Sequence, residues 1–292
     1  MARIVIGNRD GTLAVRHGRT ILERLAEEWP DLQLTVKTVT SSGSGTTAGA
    51  APRLLDALTR NAIDVAVVHL AGLTEALPAE LTLAAVTRRS DQRSALVAKG
   101  YSDLAALPQR AVVGVGTERD ATFLAATHPG LTARVMTEHP ETELARLTAG
   151  DYAAVILPAA TLIGLDLREH VDEWLEPDAF TPAAGQGAVG LVVRADDDLA
   201  FESVYPLQHR PSFDRVRAER AFAGALSGHH VGAAATVTDD GELTLFGAVA
   251  AGSTVVQGSV GGEAREAEEL GKELAADFSD RLKAYGSGSP LL

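Results

Sequence analysis

Short apolar runs alternate with helix-spaced segments through the first two-thirds of the chain. Arg3-Ile-Val-Ile-Gly7 is an apolar run ending in glycine, and Asn8-Arg9-Asp10-Gly11-Thr12 follows as a polar turn. Leu13, Val15, Ile21, Leu22 and Leu25 then recur at near-helical spacing, so the opening reads as strand, loop and helix. Leu32 to Val39 alternates as a strand. Arg53 to Arg60 reads as a helix, Ile63 to Val68 as a buried strand and Leu81 to Val86 as another. Ser41 to Ala51 is rich in Gly, Ser, Thr and Ala and reads as a flexible linker or mobile lid. It lacks the G-x-x-x-x-G-K-S/T spacing and the lysine of a phosphate cradle. Alternating βα units of this kind predict one doubly wound lobe.

A second lobe is expected from near Asp91. Its strands are Arg93 to Ala98, Ala111 to Val115, Ala133 to Met136 and Asp151 to Leu157. Its helices are Asp120 to Thr127, opened by Gly116-Thr-Glu-Arg119, then Pro140 to Ala149 and the short Ala159 to Gly164. Thr181-Pro-Ala-Ala-Gly-Gln-Gly-Ala-Val-Gly190 breaks any helix and feeds the apolar Leu191-Val-Val193. A glycine-rich turn into a strand this late suggests a return crossover to the first lobe; a plain loop–strand junction is the alternative. From Arg210 the pattern changes. A helix over Phe213 to Leu226, hairpin strands Leu243 to Val249 and Thr254 to Val260, and a helix over Glu263 to Leu282 predict a small α+β domain. The tail from Gly286 is expected to fray. The fold expected is α/β: two periplasmic-binding-protein-like doubly wound lobes joined by a double crossover, plus that C-terminal domain. The boundaries expected are 1–88 with 189–206, then 92–185, then 210–292.

Length agrees, since 292 residues suit two or three domains. Net charge is −13 and pI about 5.0, which argues against nucleic-acid and polybasic-membrane partners. The absence of cysteine excludes disulfides, thiolate metal sites and thiol-linked cofactors. The N-terminus goes straight into a strand pattern and no apolar run is long enough to span a membrane, so the expected location is the cytoplasm. Arg9 sits in a strand-to-helix loop, where α/β proteins bind anions; a solvated turn arginine, or a tie to Asp10 or Glu118, is its structural alternative.

The order of elements and several strings resemble the porphobilinogen deaminase (hydroxymethylbilane synthase) family over essentially the whole chain. Thr181 to Gly190 resembles the family's L-P-A-x-G-Q-G-A stretch and is the most specific match. Asn8-Arg9 with Leu13-Ala14, Ile63-Asp-Val-Ala-Val67, Gly150-Asp-Tyr-Ala-Ala-Val-Ile-Leu157 and Arg217-Ala-Glu-Arg-Ala221 support it. The resemblance implies condensation of four porphobilinogen units on a dipyrromethane primer held by a cysteine. It also implies an aspartate for proton transfer and a set of basic residues for the acetates and propionates. Carried over position by position, the cysteine falls on His230 and the aspartate on Gly72, with the preceding lysine on Ala71. Of two loop arginines, Arg119 remains and the next is Asp120; others fall on Thr137, Glu143, Ile163 and Gly164. The family's lysine-bearing loop in lobe one has no counterpart in Ser41 to Ala51.

An imidazole cannot form the thioether, so no dipyrromethane attachment is expected. Losing one partner of a buried charge pair costs about 2–5 kcal/mol. Like charges facing propionates would repel, and losing a general acid or base costs about 10²–10⁴-fold in rate. Standard catalysis is therefore expected to be absent. The first reading is a ligand-binding or regulatory clamp for a small carboxylate or pyrrole-type ligand, or a protein partner. Its candidate contacts are Arg9, Arg119, His69, Gln186 and Gly187. Those last two, with Gly185, have a structural alternative in the crossover's backbone angles. Arg217, Glu219 and Arg220 have one as a solvated helix face. The second reading is a divergent synthase with a non-covalent primer, using Glu75 or Asp64 as proton donor, although Asp64 sits inside a strand pattern. A third is metal chemistry at His69, His229 and His230. Neighbouring histidines point apart on an extended segment, so no metal site is expected.

Overall fold

A computed structural model describes residues 2–40 and 50–286. The Ser41–Ala51 stretch, up to residue 49, and the tail beyond residue 286 lie outside the described residues. The first lobe contains β1 (Arg3–Arg9), α1 (Thr12–Glu28), β2 (Gln33–Val39), α2 (Ala50–Thr59), β3 (Val65–His69) and β4 (Leu81–Val86). The second contains β5 (Ser94–Ala98), β6 (Val112–Val115), α3 (Glu118–Thr127), β7 (Thr132–Val135), α4 (Pro140–Ala149), β8 (Ala154–Pro158), α5 (Ala159–Gly164) and β9 (Glu173–Leu175). The chain then returns as β10 (Val189–Arg194) and α6 (Asp198–Val204). It ends in α7 (Arg210–Ala225), β11 (His230–Val237), β12 (Glu242–Ala251), β13 (Thr254–Glu263) and α8 (Ala267–Gly286).

The two lobes repeat one plan. Their sheets run β2-β1-β3-β10-β4 and β7-β6-β8-β5-β9. In each, three parallel strands are followed by one antiparallel strand, β10 or β5. β10 reaches the first sheet from beyond the second lobe, and β5 enters the second sheet straight from the first, so two strands of chain cross between lobes. These are the expected α/β lobes with their double crossover. Strands β3, β5, β8 and β10 are buried on both faces, which is why their sequences read as continuous apolar runs. Apolar side chains pack on both faces of each sheet, and Phe222, Leu245 and Phe278 centre a separate core in the third domain.

The third domain carries one strand more than the expected hairpin. β11 pairs antiparallel with β12 along its length, from His230 opposite Ala250 to Val237 opposite Leu243. Its run of small alanines, Ala233 to Ala235, lacks the bulky alternation that marks a strand in sequence. Among the described residues, no helix is long and apolar enough to cross a membrane.

Candidate functional site

The lobes enclose a cavity of about 350 Å³ between the carboxyl ends of their parallel strands. From the first lobe, Arg9 leaves β1, and His17, Thr20 and Arg24 line the cavity from one face of α1. His69 ends β3, and a 3₁₀ turn over Leu70–Gly72 brings Ala71 and Gly72 to the wall. From the second lobe come Thr117 and Asp120 at the start of α3, and Glu138 to Glu141 at the start of α4. The N-terminal ends of α1, α3 and α4 thus meet at one cavity, and at α3 the Asp120 N–H is capped by Thr117 Oγ1 at 3.1 Å.

Charge is divided between the walls. Arg9, Arg24 and Arg88 line the cavity, and no described residue pairs with any of their guanidinium groups. Burial holds Arg9 below the usual arginine range, with Asp10 opposing the shift, and it stays charged at any ordinary pH. Every carboxylate in the wall, Asp120, Glu138, Glu141 and Glu143, belongs to the second lobe.

His17 Nδ1 lies 3.0 Å from His69 Nε2, with the ring planes tilted by 44°. Burial, the neighbouring His17 and the charge on Arg9 push His69 down to about 3. Burial and Arg9 also lower His17. The pair is therefore uncharged at neutral pH. His17 was not among the sequence-predicted residues. The signal for it was present: His17, Thr20 and Arg24, at i, i+3 and i+7, form a polar stripe beside the apolar face of α1.

Three predicted contacts serve the scaffold. Arg119 lies outside the cavity lining. Its guanidinium donates to the carbonyls of Val231, at 2.7 Å, and Thr181, pairs with Asp120, and stacks over Phe123 at 4.6 Å. It ties the second lobe to the crossover and to β11. Gln186 touches the cavity, but its amide donates to the carbonyls of Gln92 (2.9 Å) and Arg93 (3.0 Å) and to Ser94 Oγ (3.2 Å). Gly187 has φ +76°, and a Cβ there would meet the Asp91 carbonyl oxygen at 2.6 Å. The crossover needs these residues for its own geometry, the structural alternative of the sequence reading.

The Arg217–Arg220 face is not solvated. Glu219 is fully buried and pairs with buried Arg89 at 2.6 and 3.0 Å. Glu219 also accepts the N–H groups of Gly185 (2.7 Å) and Ala235 (2.8 Å), and Arg89 donates to the Gln186 carbonyl at 2.8 Å. Arg220 donates to the carbonyls of Leu73 and Glu75. One charge pair thus joins the interlobe hinge, the crossover, α7 and β11. Asp64 accepts from Val5 N–H (2.8 Å) and Arg194 (2.9 Å), within the strand framework. His229 and His230 are exposed and outside the cavity lining, away from His69, and no metal-ligating group of three gathers among the described residues.

The substituted carboxylates are also neutralised. Glu143 accepts the N–H groups of Thr137 (3.1 Å) and Glu138 (3.0 Å) and the Tyr152 hydroxyl (2.9 Å), with Arg146 at 3.4 Å. Asp120 accepts from Thr117 Oγ1 at 2.8 Å and from Arg119. The repulsion expected from these two positions is accordingly weakened by partners that the alignment of positions did not show.

A sequence profile described as "Porphobilinogen deaminase, dipyromethane cofactor binding domain" matches residues 4–202. The chain is 40% identical to a porphobilinogen deaminase of Thermus thermophilus, covering 96% of this chain and 97% of that protein. It is 35% identical to one from Deinococcus radiodurans, covering 96% of each. The chain belongs to the porphobilinogen deaminase family. A periplasmic substrate-binding protein of an ABC transporter from Coxiella burnetii superposes with a TM-score of 0.49 at 13% identity, over 75% of this chain and 97% of that one. Within the family frame, a thioether-linked primer does not fit the residues present. Position 230 is an exposed histidine at the start of β11, and the chain has no cysteine to replace it.

Proposed function

We propose that this member of the tetrapyrrole-pathway family binds a small carboxylate-bearing molecule, pyrrole-type ligands included, in its interlobe cavity without condensing porphobilinogen on a covalent primer. The observation that carries this reading is the division of charge in the cavity. Arginines on the first-lobe side that pair with no described residue supply counter-charge for a carboxylate, and Gly72 offers no proton-transferring group beside them. Glu138 and Glu141 on the opposite wall suit a cationic substituent on the same ligand. A second reading, a divergent synthase with a non-covalent primer, is favoured by the 40% identity over nearly the whole chain and by the neutralised Glu143 and Asp120.

Calorimetric titration with porphobilinogen, followed by turnover and intact-mass measurements, separates the two. Binding with no consumption and an unshifted mass is the expected result. Consumption, with uroporphyrin appearing after oxidation, would replace it with the synthase reading. Arg9→Gln is expected to weaken binding about 10- to 100-fold, the effect of removing a charge-assisted hydrogen bond.

A further inference from the structure

We propose that His17 and His69 act as one neutral hydrogen-bonding dyad that positions the cavity ligand through an uncharged N–H or O–H group while Arg9 holds its carboxylate. This rests on the reading that the cavity takes a carboxylate ligand, and it adds what else that ligand must carry.

Two neutral imidazoles hold two N–H groups and two lone pairs. The contact between His17 Nδ1 and His69 Nε2 uses one of each. One N–H and one lone pair remain, at His17 Nε2 and His69 Nδ1. Neither outer nitrogen has a hydrogen-bond partner among the described residues, and both side chains line the cavity. Whichever way the shared proton points, one end donates and the other accepts. Moving that proton, with a matching shift at the outer ends, exchanges the two roles.

Charge decides what the dyad can recognise. Arg9 lies close enough to oppose a proton on either ring, and each ring opposes one on the other. The dyad is thus no counter-ion for a carboxylate, and that task falls to Arg9. An acceptor nitrogen beside a bound carboxylate has one natural complement, a donor on the ligand itself. The small residues Ala71 and Gly72 leave room beside His69 for a ring to approach. A heteroaromatic carboxylate with a ring N–H meets these demands. A plain dicarboxylate meets only the demand of Arg9.

The test compares porphobilinogen, which carries a pyrrole N–H, with succinate, which does not. Both are titrated calorimetrically into the wild type, His17→Leu, His17→Gln and Arg9→Gln, with thermal melts confirming that each variant folds. His17→Leu is expected to weaken porphobilinogen about three- to tenfold, the effect of one neutral hydrogen bond, and to leave succinate within about twofold. His17→Gln, whose amide both donates and accepts, is expected to recover most of the loss. Arg9→Gln weakens both ligands. Equal losses for both ligands in His17→Leu, or no loss for either, overturn the dyad while the carboxylate reading stands. Failure of the wild type to bind porphobilinogen while binding succinate has the same meaning. Binding of neither ligand overturns both. Long-range ¹H–¹⁵N spectra of the ligand-free protein give an independent reading. Linked rings with His69 still neutral at pH 5 are expected, and two independent titrations near 6.5 would overturn the pairing.

Discussion

His69 couples the cavity to the stability of the whole chain through its proton. In the unfolded chain its imidazole takes a proton below about pH 6.5. In the fold, burial, His17 and Arg9 delay that protonation to about 3. Between those limits the unfolded state binds more protons, so the His69 contribution is fully present above pH 6.5 and is lost as pH falls toward 3. By pH 4.5 the loss should reach about 2–3 kcal/mol. Urea unfolding of the wild type and His69→Ser at pH 7.5, 6 and 4.5 checks this. The variant should lose less stability over the window, and parallel curves would show that His69 titrates normally in the fold. Arg9 makes no such contribution because it never changes charge in this range.

At the scale of elements, the junction of hinge, crossover and α7 is the most demanding part of the fold. The Arg89–Glu219 pair is fully buried, and the carboxylate is further satisfied by two backbone N–H groups from separate segments. Removing one partner leaves a buried charge uncompensated, so Glu219→Ala should cost about 3–5 kcal/mol in chemical unfolding. A loss below about 1 kcal/mol would mean that water reaches the site. Gly187→Ala should cost about 1–3 kcal/mol, since it meets both a left-handed backbone and the Asp91 carbonyl. The glycines of this junction were legible in the sequence, because helix breakers next to an apolar run announce a forced turn. So were most strands, whose apolar runs are buried on both sides. Glu219 was not. Its spacing from Arg217 and Arg220 is that of a surface face, and its true partner, Arg89, is 130 residues away in the chain. The same distance hid the dyad: His17 and His69 are 52 residues apart, and only the parallel register of β1 and β3 beneath α1 brings them together. β11 was missed for a local reason, its small side chains giving no alternation to read.

For the whole molecule, the question is what holds the two lobes against each other over the cavity. Arg16 on α1 reaches across to the Gly164 carbonyl and the Asp166 carboxylate, each at 2.7 Å. Both charged side chains are largely in water, 48% and 81% exposed, and an ion pair of that kind contributes about 0–1 kcal/mol. Shape contributes more. A Cβ on Gly164 would strike the Leu13 side chain, and one on Gly11 would lie 3.3 Å from the His139 ring. The lobes therefore meet through two glycines, one from each side, and the cavity depends on how closely they approach. Arg16→Ala should change porphobilinogen affinity by less than about fivefold. Gly164→Leu should act as a wedge, weakening the ligand at least about tenfold by denying it simultaneous contact with both walls. The wedge sits between lobes rather than inside either core, so each sheet should keep its unfolding free energy to within about 1 kcal/mol. Small-angle scattering should show the Gly164→Leu protein more extended than the wild type, and porphobilinogen should compact the wild type more than the variant. An unchanged scattering profile with full affinity would mean that Leu13 simply moves aside. In that case the closure of the cavity would rest on the exposed Arg16 contact and would weaken visibly with added salt.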